Sequence, residues 1–263
     1  MQKELYCLML KYGFRPDHKF DQNFIINKNI IDRIIELLDI KHTETVLEIG
    51  PGTGHLTKHL LEKAKKVIAI EKDKKLIDIL EKEIVDSRLE IISADFLKVD
   101  LNNLKFDKIV GLIPYSISQE IIEKIIGTKK AVLVVQKEFA EKLVACEGFE
   151  NYVGTTVIAQ SYSEIKYVSK IKKGSFYPVP KVDSAIIEIA PNGAKIDSTY
   201  KEFVKNLFRY SNKDLLNAIK LIIKNQPTLF SKIDAIKVPE ELLKKKVKQL
   251  NIKEIKKIYS SIF

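Results

Sequence analysis

"TVLEIGPGTGHLTKHL", residues 45–60, is the stretch on which the fold turns. Val46, Leu47 and Ile49 form a short apolar run of the kind a strand buried on both faces requires. Gly50, Gly52 and Gly54 then let the backbone turn sharply, and apolar residues resume at helical spacing from Leu56. Strand, tight turn and helix are predicted in that order. Outward from this unit the same alternation continues. "NKNIIDRIIELLDI" (27–40) predicts a helix before it, "KVIAIEKD" (66–73) a strand after it, and "KKLIDILEKEIVD" (74–86) a helix. "LEIISADF" (89–96), "DKIVGLIP" (107–114) and "AVLVVQ" (131–136) are further strand candidates, and "SQEIIEKII" (118–126) and "KEFAEKLVAC" (137–146) fill the helical slots between and after them. Repeated βαβ units imply an open, mostly parallel α/β sheet.

Past residue 150 the pattern changes. "TTVIAQSYSEIKYVSKI" (155–171) is β-branched and aromatic, so antiparallel edge strands are expected there, with no helix between them. "FYPVPKVDSAIIEIA" (176–190) reads as a rigid proline loop running into a last strand, Ser184 to Ile189, and Asn192-Gly193 mark a turn. From about Ser198 onward helices are expected, including "NKDLLNAIKLIIKN" and "PEELLKKKVKQLNIKEIKKIYSSIF". The boundary falls near Pro191, giving an α/β domain over 1–190 and a small helical domain over 191–263.

Charge divides at the same place. The 263 residues carry a formal net charge of +10. Residues 191–263 hold 16 Lys/Arg against 7 Asp/Glu, a balance of +9, and the first 190 residues are near neutral. Concentrated basic charge favours a polyanion, because phosphate neutralisation releases counterions; solvated lysine-rich helix faces are the alternative. Lys244-Lys245-Lys246 and Lys248 are expected on more than one helical face. No apolar run reaches the ~20 residues of a membrane span, and "MQKELYCLML" is too short in its apolar stretch for a signal peptide. Cys7 and Cys146 lack metal-ligand spacing and read as reduced thiols. The expectation is a cytoplasmic, monomeric protein with no membrane and no metal. His55 and His59, at i,i+4, are expected as a solvent-facing pair without a third ligand.

Three predicted strand ends converge on chemistry. Gly50, Gly52 and Gly54 permit close backbone approach to a ligand after the first strand. Glu71 ends the second, about 20 residues on, where a carboxylate can hold ribose hydroxyls. Asp95, after the third, is placed to accept from an adenine amino group. A dinucleotide fingerprint places its last glycine one residue later; the G-x-G-x-G spacing here resembles that of S-adenosylmethionine-dependent methyltransferases.

With those residues in place, the chain resembles the ribosomal RNA adenine N6-dimethyltransferases of the small subunit, from "HKFDQNFI" (18–25) through "FYPVPKVDSA" (176–185). The family's G-Q-x-F-L opening corresponds to Asp21-Gln22-Asn23-Phe24-Ile25, and its F-x-P-x-P-x-V-x-S element is complete at Phe176, Pro178, Pro180, Val182 and Ser184. The resemblance implies a Rossmann-like domain binding S-adenosyl-L-methionine through Gln22, Asn23, Ile25, Gly50, Gly52, Gly54, Glu71, Asp95 and Leu112. It also implies small-subunit rRNA, or the pre-ribosomal small subunit, as partner. The family's N-L-P-Y loop corresponds to "GLIPYSIS" (111–118), with Leu112, Pro114 and Tyr115 at the reacting base and Tyr115 and Phe176 as its stacking pair. Leu112 replaces the family's asparagine, leaving the backbone carbonyls of Leu112 and Pro114 as acceptors, and Asp21 replaces its glycine. After L-F, where the family often has an R-R-K cluster, only Arg209 and Lys213 are basic. Two other readings accommodate Leu112: an RNA-binding ribosome-assembly factor without transfer activity, and a methyltransferase of altered substrate.

Overall fold

The computed structural model describes residues 1–225 and 238–262. The helices expected over 226–237 lie outside the described residues. The order of the early elements follows the expected alternation. After helix α1 (Gln2–Tyr12) come β1 (Phe24–Ile25), α2 (Lys28–Leu38), β2 (Thr45–Ile49), α3 (His55–Leu61), β3 (Lys66–Glu71), α4 (Lys74–Glu83) and β4 (Leu89–Ser93). Then follow β5 (Lys108–Leu112), α5 (Ser118–Ile125), β6 (Lys130–Gln136) and α6 (Lys137–Leu143). The start of the chain is an ordinary surface helix that buries Leu5 and Leu8.

Seven strands make one sheet in the order β4-β3-β2-β5-β6-β9-β7, where β7 is Ser163–Ile171 and β9 is Ser184–Pro191. The first five are parallel, and β9 returns antiparallel against β6. Val46, Leu47, Ile109, Val132 and Leu133 are all within 1% of fully buried, as the uninterrupted apolar runs of central parallel strands require. Helix starts follow local chemistry. Asn27 and Asp73 cap α2 and α4 by accepting from the backbone N–H two residues on. A separate two-stranded ribbon pairs β1 with β8 (Phe176–Tyr177), setting Ile25 opposite Phe176.

The chain separates into two compact units, Met1–Ala140 with Lys166–Pro191 and Glu141–Ile165 with Asn192–Phe263. The break after Pro191 coincides with the composition boundary, but the second unit also takes in Glu141–Ile165, which the division into 1–190 and 191–263 left in the first. The reason is a helix where strands were expected. Gly154–Tyr162 forms α7, burying Val157, Ile158, Ala159 and Tyr162. It packs against α8 (Ser198–Phe208), with the Tyr162 and Tyr200 rings edge to face and the Ser161 and Tyr200 hydroxyls 3.0 Å apart. Burying each large apolar side chain contributes roughly 1.5–3 kcal/mol, enough to override the strand preference of β-branched residues. The lysine-rich segment is also not one helix. Glu240–Leu243 is a single turn, the Lys246 backbone pairs with that of Asp214 in an isolated antiparallel β-bridge, Val247–Gln249 is a 3₁₀ turn, and only Ile252–Ile262 is a sustained helix. No described helix is long and apolar enough to cross a membrane.

Gly54 shows how tightly the β2–α3 turn is built. Its φ of +81° is left-handed, and a Cβ there would lie 2.6 Å from Ile84 Cδ1 and 2.8 Å from Leu80 Cδ2. Backbone strain of roughly 1–2 kcal/mol adds to overpacking of roughly 1–3 kcal/mol in Gly54→Ala. Chemical denaturation is expected to show a stability loss on the order of 3 kcal/mol, with the slope unchanged.

Candidate functional site

The carboxyl ends of β2, β3, β4 and β5 open into one cavity, closed on the other side by the loop preceding β1. Gln22, Asn23, Ile25, Gly50, Gly52, Glu71, Asp95, Leu112 and Pro114 all line it. Gly54, Tyr115 and Phe176 do not; Gly54 belongs to the turn and its packing.

The glycine turn is shaped by left-handed backbone at Gly50 (φ +66°) and Gly52 (φ +60°), which few other residue types adopt readily. Gly50 N–H donates to Ile70 O at 3.0 Å, fastening the turn to β3. A Cβ on Gly52 would meet the Phe24 ring at 3.1 Å, so absence of a side chain also lets the pre-β1 loop close down. Glu71 sits at the centre. Its carboxylate accepts from the backbone N–H groups of Lys72 (2.8 Å), Asp73 (2.9 Å) and Gly52 (3.3 Å). Burial pushes the Glu71 carboxyl above its ordinary range, and those three N–H groups pull the other way. The result is a fixed acceptor in the cavity wall.

Asp95 has partners other than the expected one. Its Oδ1 accepts from Leu97 N–H at 3.1 Å, and its Oδ2 pairs with Lys72 Nζ at 2.9 Å. That lysine holds the Asp95 carboxyl below its ordinary value. Lys72 is 57% exposed and also lines the cavity, so the pair lies at the cavity rim. Gln22 is likewise engaged. Its amide donates to Asp73 Oδ2 at 2.7 Å and its oxygen accepts from Asp17 N–H at 2.8 Å, pinning the pre-β1 loop to the start of α4. Asn23 donates to Asp21 O at 2.9 Å, bracing the same loop from within.

The stacking pair is not arranged as expected. Phe176 is 2% exposed, within the apolar cluster that includes Ile25 and Ile186, because the β1–β8 ribbon sets it opposite Ile25. Neither ring face is open; Phe176 supports the cavity wall formed by Ile25 and the partly buried Leu112. Tyr115 stands in the loop after β5 and shares a 2.6 Å hydrogen bond with Ser184 Oγ. That contact explains the last residue of the F-x-P-x-P-x-V-x-S element: it anchors the N-L-P-Y-like loop to β9. Burial raises the Tyr115 phenol, so it stays protonated across neutral pH.

Several lining residues were not foreseen. Phe20 is a half-buried aromatic on the cavity wall, and Ser116 presents its backbone to Asp21. Only their nearness in sequence to the recognised motifs marked them. Glu48, inside the strand motif, is 1% exposed and accepts from Thr57 Oγ1 at 2.7 Å. His55 and His59 are both half-buried. His55 packs beside Thr53, with Nδ1 2.8 Å from its hydroxyl, and burial lowers its pKa.

Burial raises the Glu48 carboxyl from 4.5 to about 8, with Thr57 opposing and Glu71 reinforcing the shift. The folded state therefore holds this proton where the unfolded chain has released it. The associated stability is full below the ordinary value and is lost as pH rises toward 8. Glu48→Gln removes this titration and keeps the Thr57 contact. The melting temperature of the variant is expected to exceed that of the unaltered chain increasingly from pH 5 to pH 8.

Comparison with known proteins agrees with this geometry. A family model described as ribosomal RNA adenine dimethylase matches residues 13–260. The probable ribosomal RNA small subunit methyltransferase A of Thermococcus onnurineus is 38% identical over 264 residues, covering 98% of this chain and 96% of that protein. The ribosomal RNA small subunit methyltransferase A of Mycoplasma mycoides is 35% identical over 259 residues, covering 93% and 96%. Among solved structures, a dimethyladenosine transferase from Plasmodium falciparum superposes with a TM-score of 0.76 at 31% identity, covering 89% of this chain and 95% of that one. The 23S rRNA methyltransferase ErmE gives 0.66 at 26% identity, covering 91% and 99%. By its sequence and its fold, the chain belongs to the ribosomal RNA adenine dimethylase family.

Proposed function

We propose that this chain binds S-adenosyl-L-methionine in the cavity at the strand ends and methylates adenine N6 in small-subunit rRNA. It would act as a cytoplasmic monomer on the small subunit or its precursor. The observation that carries the reading is the convergence, in a chain of this family, of the glycine turn, the Glu71 carboxylate and the Leu112–Ser116 loop on one cavity.

The cofactor, when bound, supplies an electrophilic methyl group. Gly50 and Gly52 would let it lie against the backbone, Glu71 would accept from its ribose, and Asp95 and Lys72 would border its base; all five line the cavity. The chain's remaining task is orientation. An adenine amino nitrogen is a weak nucleophile because its lone pair is delocalised into the ring. Acceptors on its N–H groups favour the pyramidal form, and alignment supplies most of the rate. Pro114 and the Tyr115–Ser184 hydrogen bond keep the loop after β5 in one conformation. The second unit, rich in lysine, supplies phosphate contacts. Within its lysine run, Lys244 pairs with Glu240 and Lys245 with Glu254, so the exposed Lys246 is the more available cation there.

Leu112 favours a second reading, in which the chain binds RNA during subunit assembly without transferring a methyl group. Purified protein, labelled cofactor and small subunits lacking adenine dimethylation separate the two. Label recovered in N6,N6-dimethyladenosine is expected; no label, with cofactor binding intact, supports the assembly role, and label in another nucleoside indicates an altered substrate. Glu71→Ala is expected to weaken cofactor binding roughly 10- to 100-fold by titration calorimetry, the scale of hydrogen bonds to a charged acceptor.

A further inference from the structure

We propose that the Asp21 carboxylate accepts an N–H of the target adenine's amino group, taking the place of the side-chain acceptor that Leu112 lacks. The inference rests on the functional reading above.

Three observations carry it. First, Asp21 belongs to the loop before β1, yet its Oδ2 accepts from the backbone N–H of Ser116 at 2.9 Å, across 95 residues of chain. That bond places the carboxylate at the loop after β5, and Asp21, Leu112, Pro114 and Ser116 line the same cavity. Second, the neighbouring backbone acceptor is occupied. The Pro114 carbonyl already receives Ile117 N–H at 3.3 Å and Ser118 Oγ–H at 3.0 Å, which uses both of its lone pairs. Leu112 brings only a hydrocarbon side chain. By contrast, Asp21 Oδ1 has no protein partner among the described residues. Third, Asp21 holds a left-handed backbone (φ +50°), a conformation costly for most non-glycine residues. Glycine would satisfy that turn without strain, so the side chain is what aspartate adds.

The chemistry fits the placement. An attacking amino nitrogen gains positive charge, and a carboxylate stabilises that charge more strongly than a neutral amide oxygen. Leu112 gives the cavity no polar side-chain group, and Asp21 supplies one from the facing loop.

The test uses the full chain saturated with S-adenosylhomocysteine, with adenosine and purine riboside, which lacks the amino group, as probes. The unaltered chain is expected to bind adenosine about tenfold or more tightly than purine riboside, the scale of a hydrogen bond to a charged group. Asp21→Gly, whose backbone suits the turn, is expected to abolish that preference while leaving S-adenosylhomocysteine affinity unchanged. Methyl transfer to unmethylated small subunits is expected to fall at least tenfold in D21G and to recover in D21G/L112N. A D21G chain that keeps the adenosine preference and its transfer rate overturns the proposal. So does a D21G chain that loses both probes and S-adenosylhomocysteine together, since that marks a purely structural role. No transfer by the unaltered chain overturns the functional reading itself, and with it this role.

Discussion

The turn between β2 and α3 is held by a contact between two strand ends. Gly52 N–H reaches the Glu71 carboxylate, and Gly50 N–H reaches Ile70 O, so the glycine turn and the end of β3 form one unit. Everything at the site depends on that unit. It requires left-handed backbone at Gly50 and Gly52 and leaves room for Phe24 to pack down. It also fixes a buried carboxylate whose burial cost is partly offset by three backbone N–H groups. A Cβ on Gly52 would press against the Phe24 ring at 3.1 Å, whereas at Gly50 the constraint is the left-handed backbone, since the nearest atom, Leu112 O at 3.9 Å, leaves room for one.

The parallel sheet was legible because its strands are buried on both faces and so read as continuous apolar runs. Strands 45–49, 66–71 and 108–112 appear within a residue or two of expectation. That these residues would meet was legible for a related reason: in an open α/β sheet the ends of successive strands share an edge, so Gly50, Glu71, Asp95 and Leu112 converge on one cavity whatever the details of packing. What stayed hidden depends on partners distant in sequence. Thr155–Ile158 has the composition of a strand, and only packing against α8 makes it helical. Phe176 looked like an open ring because its motif adjoins prolines, yet the ribbon with β1 buries it. The Lys72–Asp95 pair and the Gln22–Asp73 contact join residues 23 and 51 positions apart, with no local signature.

Motif departures acquire meaning only in three dimensions. Asp21 in a glycine position and Leu112 in an asparagine position lie 91 residues apart and line one cavity. The loop after β5 is meanwhile secured from two sides, by Asp21 on Ser116 N–H and by Ser184 on the Tyr115 hydroxyl. A loop fastened in this way is suited to holding a weak nucleophile in one orientation.

Whether this chain methylates adenine in small-subunit rRNA is answered by mass spectrometry of nucleosides from that rRNA, in cells with and without the gene. Dimethyladenosine present with the gene and lost without it is the expected result. An unchanged dimethyladenosine content in the two strains would contradict a role in that methylation.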